Sequence, residues 1–177
     1  MNTRLGLSFA AVLMVSACAA AGPGPMGPIA PPAASTSAFR TADFAWSTAP
    51  GSGRIDGQLS YRPMGKVHSC QAAGVLLTPD TPWVRSRMNI LYSSTEKAIL
   101  PADEVRRRTP PERSQDYSSF VRRTSCDSAG RFSFSGLPDG TWYVITVARP
   151  QPAGSGSDIA IMRRVTTKGS KVVNISL

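Results

Sequence analysis

The feature that most constrains this fold is the last third of the chain, where short alternating stretches and turn signals follow one another closely. Residues 141–149, TWYVITVAR, are dense in aromatic and β-branched residues and predict the strongest strand. The preceding LPDG at 137–140 is a tight-turn signal, since Pro presets one backbone angle and Gly accepts a positive one. Residues 131–135, 158–166 and 171–177 predict further strands. Such a region folds by pairing its strands into sheets.

Three more strands are predicted upstream of this region. Residues 54–61 alternate with period two, and residues 73–78 form a short, nearly all-apolar run that ends at Pro79. Residues 120–125 lead into a turn signal. Seven short strands separated by turns predict an all-β chain folded as a seven-stranded, immunoglobulin-like β-sandwich. Lys168-Gly169 predicts a hairpin turn between the last two strands.

The stretch 81–116 interrupts this pattern and is predicted to be a short helical or loop insertion. Thr81 suits a helix N-cap and Pro82 suits the first helical position, so a helix over 82–94 is preferred to a strand over 88–92. Residues 95–117 are rich in proline and charge, which indicates an exposed segment. That segment is long for a loop in a compact domain, which is typical of functional or disordered segments.

The amino terminus has the three parts of an export signal over residues 1–17. Arg4 supplies a positive start, and residues 5–15 are apolar and uncharged. These residues span roughly 16 Å as a helix, far less than a hydrocarbon core of about 30 Å. Val15-Ser16-Ala17-Cys18 resembles the lipobox of bacterial lipoproteins, which implies cleavage before Cys18 and its acylation with palmitate-type chains. The alternative is a chance cysteine near an ordinary cleavage site.

A tether follows the lipobox over residues 18–38. It is uncharged and rich in Pro, Ala and Gly, a composition that cannot bury a core. The residue after Cys18 is Ala19 rather than Asp, and the usual sorting rule of bacterial lipoproteins then implies the outer membrane. The predicted organisation is a signal peptide (1–17), an acylated tether (18–38) and one β domain (39–177), anchored in the cell envelope.

The β domain resembles the carboxypeptidase regulatory-like family in GRIDGQL, AGVLLTP and DSAGRFSFSGLPDGTWYV. The resemblance covers roughly 53–80 and 117–177, and the insertion departs from the family pattern. It implies a transthyretin-like, seven-stranded sandwich that acts as a non-enzymatic structural or interaction module. The family's hallmark positions fall on Gly57, Pro79, Asp127, Gly130, Phe132, Phe134, Leu137, Pro138, Gly140 and Tyr143.

Cys70 and Cys126 remain as an even pair once Cys18 carries lipid. In an oxidising compartment such a pair predicts a disulfide. Two buried free thiols are one alternative. A zinc site that uses His68 and Asp127 together with both cysteines is another, but an exported protein usually spends paired cysteines on a bridge. No metal and no cofactor are therefore predicted.

Catalytic motifs are also lacking in the sequence. It contains no nucleophile elbow, P-loop or HExxH helix, and its single histidine, His68, lies in a polar stretch without a triad signature. The acidic residues of the insertion, Asp103, Glu104, Glu112 and Asp116, are interleaved with arginines that would pair them. The chain is therefore predicted not to be an enzyme.

The charge balance is the remaining functional signal, with 20 Lys and Arg against 11 Asp and Glu and a net charge of +9. Guanidinium groups bind phosphates and carboxylates bidentately, so short arginine clusters are candidate polyanion-binding residues. A solvated surface that keeps the domain soluble is the alternative. The candidates are Arg106, Arg107, Arg108, Arg122, Arg123, Arg163 and Arg164.

These observations predict a non-enzymatic envelope lipoprotein that acts as a protein-interaction or structural module. A carbohydrate- or polyanion-binding module at the cell surface is the alternative. The expected partners are the membrane, through the lipid anchor, and either an envelope protein or an acidic glycan. Nucleic acid is not expected in that compartment.

Overall fold

The computed structural model describes residues 37–71, 73–110 and 117–177. The predicted signal peptide, the lipidation site Cys18 and nearly all of the tether lie outside the described residues. In the part that is described, no helix combines the length and hydrophobicity needed to cross a bilayer.

Nine strands account for most of the regular structure in the described ranges. They are β1 (Gly53–Gln58), β2 (His68–Ser69), β3 (Val75–Pro79), β4 (Lys97–Pro101), β5 (Arg122–Thr124), β6 (Arg131–Leu137), β7 (Gly140–Pro150), β8 (Ile159–Thr167) and β9 (Val172–Ser176). Two α-helices, α1 (Pro82–Tyr92) and α2 (Ala102–Arg108), and 3₁₀ helices at Thr41–Thr48, Pro63–Gly65 and Ser118–Phe120 complete the fold.

The strands form two sheets. A small sheet has the order β6-β1-β9, and a large sheet has the order β4-β8-β7-β3-β5, with β2 paired to β7 as well. The β1–β9 pair is parallel and every other pair is antiparallel. The prediction of a mainly β, sandwich-like chain is therefore confirmed. All seven predicted strand regions contain strands, and sequence patterns missed two of the described strands, β2 and β4.

Strand β7 contributes buried side chains to both faces of the large sheet, because alternate side chains point to opposite faces. Trp142, Val144 and Ala148 face the small sheet and join the core of the sandwich. Tyr143 faces the other way and packs with Phe44 and residues of α1 in a second buried cluster. This double burial explains why β7 reads as a nearly continuous apolar run rather than an alternating one.

The predicted helix at the start of the insertion is confirmed as α1. The Thr81 side chain accepts a hydrogen bond of 3.2 Å from the Val84 N–H, and Pro82 occupies the first turn. The helix ends before Ser93, which adopts a left-handed conformation with φ of 52°.

The rest of the insertion contains regular structure that its composition does not suggest. Strand β4 pairs with β8 at the edge of the large sheet, and α2 follows it directly. Ala98 and Leu100 of β4 pack against the second buried cluster, while Ile99 on the opposite face is exposed. The exposed Ile99 is as apolar as its inward-facing neighbours, so β4 shows no alternation in the sequence and is set by its pairing with β8.

The last two strands correct the predicted hairpin at Lys168-Gly169. Gly169 does turn the chain, with φ of 60°, and its N–H donates to Asp139. Strand β9 then crosses to the small sheet and pairs in parallel with β1. Val173 and Ile175 pack against the core from that side, so burial of these side chains outweighs the local hairpin signal.

Candidate functional site

The outer face of the small sheet forms an open groove lined by polar side chains, here called the polar groove. Asp56 of β1 is in register with Ser133 of β6 and with Asn174 of β9. Gln58 is in register with Arg131 and Ser176 on the same two neighbours. Because alternate residues of a strand share a face, these rows lie side by side on the surface that faces away from the core.

The polar groove has a volume of about 700 Å³. Residues 124–127, which lead from the end of β5 toward β6, belong to its lining. The turn that follows is organised by Asp127, whose Oδ1 accepts hydrogen bonds from the N–H groups of Ala129 (2.9 Å) and Arg131 (2.8 Å). Gly130 supplies the positive φ of 74° that closes the turn. The amide Nε2 of Gln58 donates to the Ala129 carbonyl at 3.3 Å and ties the groove to the turn.

Both carboxylates of the polar groove are paired with arginines. The Arg54 Nε lies 2.7 Å from Asp56 Oδ1, and the Arg131 Nε lies 2.8 Å from Asp127 Oδ2. Partial burial acts to raise the pKa of Asp56, but hydrogen bonds from Arg54 and Ser133 outweigh it and lower the pKa below its usual value. Backbone and side-chain hydrogen bonds from Arg131 lower the pKa of Asp127. Both groups therefore remain ionised acceptors at neutral pH.

A smaller concavity adjoins the other side of the same turn and is here called the aromatic pocket. It has a volume of about 250 Å³ and is lined by side chains that include Tyr61, Arg62, His68, Gln71 and Gln151. The rings of Tyr61 and His68 meet edge to face, with centroids 5.2 Å apart. The Nδ1 of His68 lies 3.2 Å from the Lys66 carbonyl oxygen. Because a carbonyl oxygen only accepts hydrogen bonds, Nδ1 is the donor in this contact.

The two cysteines lie close to both concavities: Cys126 lines the polar groove, and Cys70 lies between two residues that line the aromatic pocket. Cys70 and Cys126 sit at disulfide distance, with Cα atoms 5.7 Å apart and 56 positions apart in the chain. The sequence predicted this pairing, and both residues are buried in the core of the sandwich. The zinc alternative joins these cysteines to His68 and Asp127, yet within the described ranges no three His, Cys, Asp or Glu side chains are grouped closely enough to hold a metal ion.

The predicted arginine clusters are not brought together in one patch. Arg122 and Arg163 lie in one row of the large sheet, linked through Leu77 and Val144, which places them three strand spacings or about 14 Å apart. Their sequence neighbours Arg123 and Arg164 lie on the opposite face, because consecutive strand residues alternate.

Several of these arginines already bind groups within the protein. Arg122 donates to the Ser47 carbonyl at 3.1 Å and stacks over the Trp142 ring. Arg163 donates to the Ser176 carbonyl at 2.7 Å, and Arg164 binds the buried carboxylate of Asp80 at 2.8 Å.

The arginines of α2 have partners on the same helix. Arg106 pairs with Asp103, and Arg108 pairs with Glu104, as expected for residues three or four positions apart. Arg107 is exposed on the same helix. The polyanion-binding role of the seven arginines stays a prediction.

Sequence reasoning named Asp127 at this site, as a family hallmark and a zinc candidate, but did not select the polar residues of β1 and β9. Arg54, Asp56 and Gln58 are visible in the sequence as the polar half of an alternating strand, and this alternation is the signal that could have found them. Asn174 could not be found in this way, because only the crossover of β9 places it beside Asp56.

Comparison with protein-family models finds no match, and comparison with curated proteins finds none. Among solved structures, the chain is similar to the crystal structure of a candidate carbohydrate binding protein from Pseudomonas aeruginosa. The two share 20% sequence identity with a TM-score of 0.53, and the match covers 78% of this chain and 97% of the other. At this identity the likeness shows a common fold.

Proposed function

We propose that this protein is a non-enzymatic carbohydrate-binding module that uses the polar groove. The observation that carries the proposal is the set of in-register rows on the outer face of the small sheet. There Asp56, Ser133 and Asn174 stand side by side, next to Gln58 and Arg131. Carboxylate, amide, hydroxyl and guanidinium groups offer the mixed donors and acceptors that sugar hydroxyls require.

The structural neighbour supports the proposal. It is a candidate carbohydrate binding protein, and this chain shares its fold. A shared fold raises the expectation of a related function without establishing it, so the proposal depends chiefly on the groove itself.

The ionisation of the groove favours binding over hydrolysis of a glycan. Glycoside hydrolysis requires a carboxylic acid that holds its proton at neutral pH. Arginine hydrogen bonds instead lower the pKa of both Asp56 and Asp127. Neither group is suited to protonate a leaving oxygen.

The test is glycan-array screening of the full-length protein, followed by calorimetry with the best-bound glycan. Asn174→Ala and Gln58→Ala each remove one hydrogen-bonding group, and we expect each to weaken binding about fivefold. The matched control is Asn89→Ala, an exposed substitution on α1 that should leave affinity unchanged. If no glycan binds, or if the groove variants bind as tightly as the wild type, the proposal is wrong.

We also propose that the protein is anchored in the cell envelope, in the outer membrane, by acylation of Cys18. The support is the lipobox-like Val15-Ser16-Ala17-Cys18 and the uncharged tether that follows. Metabolic labelling with an alkyne analogue of palmitate should mark the wild-type protein. Labelling should disappear in Cys18→Ala and persist in a Cys70→Ala, Cys126→Ala double variant. Equal labelling of the Cys18→Ala variant would contradict the anchor.

We further propose that the sandwich is of the carboxypeptidase regulatory-like, transthyretin-like kind. The hallmark positions have fitting structural roles: Phe132 and Leu137 are buried in the core, and Pro138 and Gly140 flank the turn into β7. An experimental structure with a different strand order would contradict this assignment.

A second candidate function, protein interaction, is supported by an apolar groove of about 360 Å³ at the edge of the sandwich. Ile99, 51% exposed, lies in this groove with Ile161 and Leu177, beside the paired Lys97 and Arg163. Exposed apolar surface beside a sheet edge suits an added peptide segment. A photo-crosslinker at Ile99 should form a defined adduct in cells, whereas one at the exposed Met64 should not. Identical labelling from both positions would contradict this function.

A further inference from the structure

We propose that the polar groove and the aromatic pocket are two subsites for one oligosaccharide of neutral sugars, with the turn at 127–130 between them. This inference rests on the proposed carbohydrate-binding function and extends it to a second site and a ligand class. It assigns Tyr61 and His68 as the residues that receive an additional sugar ring.

The two concavities share one wall. Asp127 lines the polar groove, and the next three residues, 128–130, line the aromatic pocket. On the other side, Gln58 lines the groove and its chain neighbour Leu59 lines the pocket. A ligand longer than one ring can therefore reach from one concavity into the other across a single turn.

The turn between the two subsites is held firmly. Asp127 accepts two backbone hydrogen bonds within it, and the Gln58 side chain donates to Ala129. Cys70, which follows His68 closely, lies at disulfide distance from Cys126, immediately before the turn. The two walls of the aromatic pocket are thus joined, which limits the ordering cost of binding.

The aromatic pocket has the chemistry of a single-ring subsite. Its volume of about 250 Å³ is smaller than the roughly 300–1,000 Å³ of drug-sized sites, whereas the groove at about 700 Å³ falls within that range. Tyr61 packs partly against the core of the sandwich, but both it and His68 are only half-buried, so each ring leaves part of its surface to the pocket. The exposed Arg62 and Gln71 add polar side chains to the lining of this pocket.

The charges of the groove favour neutral sugars. Arg54 and Arg131 are each paired with a carboxylate, so the groove contributes two positive and two negative charges. An acidic sugar would have to compete with Asp56 or Asp127 for its arginine. A neutral sugar can bind these ion pairs through hydrogen bonds without separating them.

The experiment is calorimetry of the full-length protein with two series of probes, glucose to maltotetraose and N-acetylglucosamine to its tetramer. We expect at least one series to bind more tightly as its length increases. Tyr61→Leu retains apolar volume but removes the ring, and it should weaken tetramer binding about tenfold while monosaccharide affinity is unchanged. Tyr61→Phe retains the ring, so its affinity should still increase with the length of the oligosaccharide. Asn174→Ala should weaken monosaccharide and tetramer alike.

The two-subsite inference would be overturned if the wild type bound oligosaccharides of every length with equal affinity. It would also be overturned if Tyr61→Leu showed the full increase in affinity with oligosaccharide length. Either result would leave the proposed function standing. Failure of the wild type to bind any member of either series would also overturn it. The proposed function is judged separately by the glycan array. If Tyr61→Leu unfolds, His68→Ala provides the same comparison, because its ring belongs to the same pair and it is only half-buried.

Discussion

At the scale of single residues, Gly57 allows the small sheet to pack closely against the core. A side chain at this position would point into the ring of Phe132, which lies against the glycine. Both residues are buried, so the ring has little room to move away. Gly57 is therefore required by close packing, and its place directly beneath the polar groove couples that packing to the shape of the groove.

We predict that Gly57→Ala destabilises the protein by about 1–3 kcal/mol, because the added methyl group overpacks the core against Phe132. Chemical denaturation measures the change. The control is Gly156→Ala, where the nearest atom to a new Cβ is 3.9 Å away, and its effect should stay within about 0.5 kcal/mol. Equal stability of the two variants would show that the Phe132 ring can move aside for the added methyl group.

Buried tyrosines respond to pH in a direction that the structure determines. Burial raises the pKa of Tyr143 to about 12, with a contribution from the neighbouring Asp80 carboxylate. Burial likewise raises the pKa of Tyr92 to about 12. Because the folded state holds these protons more tightly than the unfolded chain does, their contribution to stability is complete below about pH 10 and is lost as the pH rises through 12.

We predict that the phenolate absorbance of Tyr92 and Tyr143 develops near pH 12. Ultraviolet titration of the wild type and of Tyr143→Phe isolates the second of these groups. The difference between the two curves should rise near pH 12 and be flat near pH 10. A difference curve centred near pH 10 would mean that Tyr143 is accessible to water.

At the scale of elements, the connection between β2 and the turn before β6 depends on the two cysteines. Strand β2 has only two residues and pairs with the far end of β7. Cys70 and Cys126 bring this strand to the turn that separates the two subsites. Strand β2 has only two paired residues, so the link at Cys70 supplements the few hydrogen bonds that hold it.

We predict that the double variant Cys70→Ala, Cys126→Ala is less stable by about 4 kcal/mol, since a bridge across 56 positions restricts the unfolded chain. Thermal unfolding with and without reductant should show the same loss for the wild type and no effect of reductant on the variant. Thiol quantification under denaturing, non-reducing conditions is the direct check. Free thiols at both positions would refute the bridge.

At the scale of the whole molecule, the chain carries a net charge of +9, but its described arginine clusters do not form one basic patch. Adjacent arginines on strands β5 and β8 point to opposite faces of the large sheet, and those of α2 pair with acidic residues one helical turn away. Long-range attraction to anions follows from the net charge, whereas tight polyanion binding needs several cations in one place.

We predict that the affinity for a neutral glycan changes less than about twofold between roughly 50 and 200 mM salt, because salt screens charges and leaves neutral hydrogen bonds nearly unaffected. Retention on heparin over the same range provides the comparison and should fall much more steeply. Arg106→Ala, Arg107→Ala should reduce heparin retention and leave the glycan affinity unchanged. A steep salt dependence of glycan binding would favour the polyanion alternative.

The sequence alone located seven of the nine described strands, the capped helix α1 and the pair Cys70 and Cys126. Each of these follows from a pattern that spans a few residues or from the chemistry of one residue type. The export signal and the lipobox-like motif are also local, and they remain predictions about residues outside the described ranges.

Only the tertiary structure decided which strands share a sheet and which polar residues share a surface. The crossover of β9 brings Asn174 beside Asp56, and the turn at 127–130 separates the groove from the aromatic pocket. Strand alternation tells which residues share a face of one strand, but the neighbours of that strand are chosen by burial of side chains far apart in the chain. The candidate site is built from three strands and a turn, so no single stretch of sequence contains it.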